Sequence, residues 1–146
     1  MRKSDFLDQL RLEVGLAYDY AVDKEDFFKK VLNKLYEMVN KRCNITVYIP
    51  LEDGNLSRRY VLGKAEEFGV GFTGLCTLNT SVLLNKNNEQ AIISPIFENG
   101  SLTYVICINI ITESYRLSKQ DMEFVNELVR FIGAKCATFP NSELEE

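Results

Sequence analysis

Apolar side chains recur every three to four residues over 4–21, at Phe6, Leu10, Val14, Ala17 and Ala21. That spacing predicts a helix with one buried stripe, and Ser4 is its candidate cap. A denser version follows over 24–41, where Phe27, Phe28, Val31, Leu32, Leu35, Met38 and Val39 fall on one face and lysines and glutamates on the other. Asp23 is its candidate N-cap, with Asp26 three residues on as a short form of the capping box. The period then changes to two. Asn44–Pro50 alternates Ile45, Val47 and Ile49 with Thr46 and Tyr48, which predicts a strand. Glu52-Asp53-Gly54-Asn55 is a hairpin turn, and Ser57–Gly63 returns as a second strand. Residues 64–80 are irregular around the glycine-rich turn FGVGFTG (68–74), with a short helix expected near Thr73.

Three apolar runs come next: SVLLN from Ser81, AIISPIFENG from Ala91 and SLTYVICINII from Ser101. Glu98-Asn99-Gly100 joins the last two as a hairpin, because Asn-Gly tolerates positive φ. Ser118 caps a final helix that runs to about Thr138, and Pro140 stops it. Strands joined by Asp-Gly and Asn-Gly turns pair antiparallel, so the expected fold is α+β. It has an antiparallel sheet of about five to six strands with the N- and C-terminal helices packed on one face. Leu102–Ile111 is apolar on both faces, which places it in the sheet interior. One domain is expected, with its core over about 24–138 and a solvated, flexible tail over 139–146.

Composition then narrows the chemistry. The chain of 146 residues is 46% hydrophobic and 26% charged, ordinary for a globular protein, and its formal charge of −4 argues against nucleic acid as a partner. Arg58 and Arg59 are adjacent on a strand and point to opposite faces, so they form no basic patch. No run is apolar enough to span a membrane, and charges in MRKSDFLDQL stand where a signal peptide needs an apolar stretch. The expected location is therefore cytoplasmic. The absence of histidine removes Ser-His-Asp and Cys-His catalysis, the usual zinc ligand and His-ligated haem. Cys43, Cys76, Cys107 and Cys136 stand 33, 31 and 29 residues apart with no paired-cysteine signature, so reduced thiols and no metal or cofactor are expected.

Taken in order, GVGFTG before a strand, Ser94-Pro95-Ile96, the Asn99-Gly100 hairpin, the long apolar strand and Leu117-Ser118-Lys119-Gln120-Asp121 resemble a GAF domain over about 24–138. The resemblance implies a non-enzymatic small-ligand sensor or regulatory module, with the ligand on the sheet face opposite the long helices. The strand tyrosines Tyr48 and Tyr60 offer an apolar ring with a polar tip for lining such a pocket. The resemblance adds Phe72 and Thr73 at its rim, together with Cys76 and Ser94. The family's longer lid segment is reduced here to the hairpin-length Asn85-Lys86-Asn87-Asn88. Its cyclic-nucleotide pattern fails where Ile110 follows Asn109, Leu117 replaces Phe and Met122 follows Asp121. The bilin attachment pattern, usually a cysteine with a neighbouring histidine, is also missing. The alternative is an enzyme resembling free methionine-(R)-sulfoxide reductase with Cys76 as nucleophile; the plainer reading of Cys76 is a buried apolar side chain. A third reading is a ligand-free dimerisation module.

The final helix carries Met122, Phe124, Val125, Leu128, Val129, Phe131, Ile132 and Cys136 over about half its circumference, wider than one sheet contact needs. The surplus predicts a second helix as partner, either the N-terminal helix of the same chain or a second copy. The resemblance implies the latter, a homodimer through Phe124, Leu128 and Phe131 that passes its state to a signalling protein.

Overall fold

The computed structural model describes residues 3–38, 43–63, 80–86, 89–110 and 117–139. The order is α1 (Lys3–Tyr20), α2 (Lys24–Met38), β1 (Cys43–Pro50), β2 (Leu56–Leu62), β3 (Val82–Lys86), β4 (Glu89–Glu98), β5 (Ser101–Ile110) and α3 (Lys119–Cys136). The five described strands form one antiparallel sheet in the order β2-β1-β5-β4-β3, so β5 is central, as its two apolar faces predict. The glycine-rich turn, the helix near Thr73 and the tail over 140–146 lie outside the described residues.

Local chemistry explains the joints. Asn99 (φ 52°) and Gly100 (φ 82°) both sit left-handed, the geometry a two-residue hairpin needs to match strand twist. Asp23 Oδ1 accepts from the Asp26 amide at 2.8 Å, and Asp26 Oδ2 accepts from the Val22 amide at 3.1 Å, which starts α2 two residues after Val22. Ser118 and Asp121 form a reciprocal capping box at the start of α3.

Alternation along the strands sorts the side chains into two layers. Ile45, Val47, Ile92, Ile96, Ile106 and Ile108 meet Leu10 and Val14 of α1, the α2 face from Phe27 to Leu35, and Val125, Leu128, Val129 and Ile132 of α3. All three described helices thus pack on this face. Phe28 stacks on Tyr104 with ring centroids 4.3 Å apart, and Tyr18, Phe27 and Phe139 cluster at 5.0–5.7 Å, joining the two ends of the chain. The α3 helix approaches β4 so closely at Gly133 that a Cβ there would stand 2.4 Å from the Phe97 carbonyl oxygen. At the hairpin end, the mostly buried Glu98 carboxylate pairs with Lys24 Nζ at 3.1 Å, tying β4 to the first turn of α2.

Candidate ligand-binding face

The other face of the sheet gathers Tyr48, Leu56, Ala91, Ile93, Val105 and Cys107, with Val82 and Leu102 packed at its margin. None of these residues belongs to a helix. Its floor differs in chemistry from the helix side, because three buried polar side chains interrupt it: Asn44, Thr46 and Asn109, at 3%, 4% and 5% exposure. Register places them together. Asn44 lies opposite Asn109 and Thr46 opposite Cys107, on neighbouring strands at the middle of the sheet. Strand alternation puts them on one side, since Ile45, Ile106 and Ile108 between them all face the helices. An apolar floor with a few convergent amide and hydroxyl groups can hold a small molecule by burial and orient it by hydrogen bonds.

The same face is unsuited to thiolate chemistry. Burial pushes the Cys107 thiol up to about 11, and in the helix-side core it raises Cys43 likewise to about 11. Cys136, in the helix-side core, is raised to about 12 by burial first and the Glu98 charge second. A protonated thiol is a poor nucleophile. Cys76 lies outside the described residues. Among those that are described, no three acidic or cysteine side chains are grouped to hold a metal ion.

The structure separates the residues singled out from the sequence. Tyr48 lies on this face and is buried. Tyr60 lies on the other one: it pairs with Val47, while Tyr48 pairs with Arg58, and the irregularity between these pairs sets the two rings on opposite sides. There its ring packs near Phe28 and its hydroxyl donates to Glu25 Oε1, with Arg59 donating to the same oxygen. Ser94 also faces the helices. Its hydroxyl meets Ser81 Oγ at 2.6 Å, and Ser81 in turn donates to Asn126 Oδ1 of α3 at 3.0 Å, so Ser94 must donate to Ser81. Its bond is thus taken up in fixing α3 to the sheet. Phe72 and Thr73, like Cys76, lie outside the described residues.

Leu128 is buried in the helix-side core of the single chain, and Phe124 and Phe131 pack against that core half-buried. The chain's own α1 lies beside α3, through Arg11 with Glu127 and Tyr18 with Thr138. Much of the surplus apolar arc on α3 is therefore used within the chain.

Asn44, Thr46 and Asn109 went unselected at the sequence level. The available signal was a polar residue at alternate positions in two otherwise apolar strands, NITV and CINI, but choosing them required the register that sets one against the other. A second concavity, of about 540 Å³, lies on the far flank of α3 against the end of β4, where Phe97, Val129 and Gly133 meet Asn126 and Arg130.

No protein-family model matches the sequence, and no curated protein matches it. Solved structures do. A GAF domain superposes with a TM-score of 0.69 at 19% identity, covering 93% of this chain and 90% of that one. The GAF domain of a phosphoenolpyruvate-protein phosphotransferase from Coxiella burnetii gives a TM-score of 0.71 at 15% identity over 93% of this chain and 95% of the other. The reduced form of fRMsr from Staphylococcus aureus gives 0.66 at 17% identity over 94% and 97%. At such identities the likeness establishes the fold, and the fold is that of a GAF domain. Among the described residues no helix is long and apolar enough to cross a membrane.

Proposed function

We propose that this protein is a non-enzymatic sensor module that binds a small molecule on the sheet face opposite its helices, acts as a homodimer and reports its ligand state to a partner protein. The observation that carries the reading is the row Asn44, Thr46 and Asn109, buried in an otherwise apolar face. Val or Ile would suit these strand positions by propensity, so two amides and a hydroxyl here give the face polar groups that can orient a ligand beside the apolar ones that bury it. A ligand with one or two polar groups on an apolar body, small enough to lie across β1 and β5, matches the surface. Ligand binding would change signalling only through differential affinity for two states of the module. The GAF fold of the neighbours, including one from a phosphotransferase, is in keeping with such a role. A cytoplasmic location accords with a chain whose described helices are unsuited to a membrane.

The test uses protein stripped of bound molecules by unfolding and refolding. Stripped protein should melt at a lower temperature than freshly purified protein, and the small-molecule extract released by unfolding should restore it, since a ligand of the native state stabilises by mass action. Identical melting before and after stripping overturns the reading.

A reductase reading draws on the fRMsr neighbours, one of them in a complex with substrate. It rests on Cys76, because the described cysteines are buried with raised thiol pKa values. Turnover of free methionine sulfoxide with a thioredoxin system, lost in Cys76→Ser, would replace the sensor reading with this one.

A further inference from the structure

The outward face of α1 carries three large apolar side chains in one row, Leu12, Leu16 and Tyr20, at 62%, 41% and 74% exposure. Residues four apart on a helix are surface neighbours, so this is a continuous stripe. It is separate from the buried stripe of Leu10 and Val14, which faces the core. Beside it lies Gly15. A Cβ at this position would meet nothing within 4 Å, and its φ is not in the left-handed region, so neither packing nor backbone geometry within the chain calls for glycine. Glycine in a helix interior is unfavourable relative to alanine, and a glycine in an outward face lets another helix approach closely. A third feature is electrostatic. Asp19 stands in the last turn of α1, where the helix dipole disfavours a carboxylate; that turn has no basic residue, and among the described residues Asp19 has no ion pair.

From these features we infer that α1 is the self-association surface, pairing antiparallel with α1 of a second copy and crossing at Gly15. The inference rests on the homodimer reading above and specifies its interface. Arg11 and Asp19 are each four residues from Gly15, on opposite sides. A two-fold axis at the crossing therefore sets Arg11 of each copy beside Asp19 of the other. This charge complementarity selects a second copy running antiparallel; a parallel pair would set Asp19 against Asp19. Leu16 of each copy rests over Gly15 of the other, a knob over a missing Cβ, and Leu12 and Tyr20 extend the contact to either side. Arg11, which already meets Asp8 and Glu127 within its own chain, adds the Asp19 of the second copy to that cluster.

The test is sedimentation of the purified full chain at about 100 µM, a concentration at which even a modest interface is populated. Wild type should sediment as a dimer. Gly15→Leu should remove the dimer while leaving helical circular dichroism unchanged, because a Cβ at Gly15 meets nothing within 4 Å in the single chain and leucine is a better helix former than glycine. Arg11→Asp should weaken association by about tenfold or more, and Arg11→Asp with Asp19→Arg should restore it, which loss of the intrachain Glu127 contact could not do. A monomeric wild type overturns both the homodimer reading and the interface. A dimer that persists in Gly15→Leu overturns the interface alone, and failure of the charge swap to restore association overturns the antiparallel register.

Discussion

The two faces of the sheet are built from the same five strands, yet they do different work. On the helix side, isoleucine, valine and phenylalanine interlock with three helices, and Phe27, Phe28, Ile45, Val47 and Ile96 are fully buried. On the other side, the central strands present Asn44, Thr46, Ala91, Cys107 and Asn109, smaller or polar side chains that bury less apolar area per position. The helix side is the source of stability. The other face gives up some of that stability for chemical variety, the feature on which the proposed ligand site draws.

Substitutions can push the comparison to breaking. Phe28→Ala should have the largest effect, a loss of ~3–5 kcal/mol in urea unfolding, because it empties a fully buried aromatic site and removes the stack on Tyr104. A cost below ~1 kcal/mol would mean that the helices are not packed on this face as described. Gly133→Ala comes next, at about 1–3 kcal/mol, since the new methyl would collide with the Phe97 carbonyl oxygen and push α3 off β4. Native-state hydrogen exchange sharpens the contrast without a mutation. The amides of Ile106 and Ile108, on the central strand beneath the helices, should rank among the slowest, and rapid exchange there would remove β5 from the sheet interior.

The smallest effect expected is electrostatic. The Tyr60 hydroxyl, followed by the Arg59 guanidinium, holds the exposed Glu25 carboxyl below its ordinary 4.5. A carboxyl with a lowered folded-state pKa stabilises the fold above its unfolded value and loses that contribution as pH falls through the folded one. Tyr60→Phe should therefore lower stability slightly at about pH 7 and much less at about pH 3, with the difference reduced by salt. An equal effect at both pH values would show that the ring, not the hydroxyl, carries the contribution.

How far the sequence reaches follows from the range of each interaction. Helix ends and hairpins depend on neighbours within a few residues, so Asp23, Ser118 and the Asn99-Gly100 turn were legible, as was the central strand from its two apolar faces. The candidate ligand face was harder. Tyr48 and Tyr60 both read as pocket tyrosines, but a local irregularity in the β1–β2 register sends them to opposite sides of the sheet. Ser94 looked equally available until Ser81 and Asn126, 13 and 32 residues away, engaged it. The broad apolar arc of α3 was visible, but whether α1 or another molecule meets it depends on tertiary placement. The exposed row on α1 was passed over because the period through Leu10 and Val14 describes only the buried side of that helix.

A small molecule held on the sheet face away from the helices would show in native mass spectrometry of freshly purified protein beside the double variant Asn44→Leu, Asn109→Leu. The two asparagines lie opposite each other in the register, and replacing both with leucine keeps the branched shape while removing the polar groups, at a cost of about 1–3 kcal/mol that leaves the fold in place. A non-covalent adduct is expected on the wild type and absent from the folded variant. The same adduct on both proteins, or a wild type carrying none, would contradict a ligand held on this face.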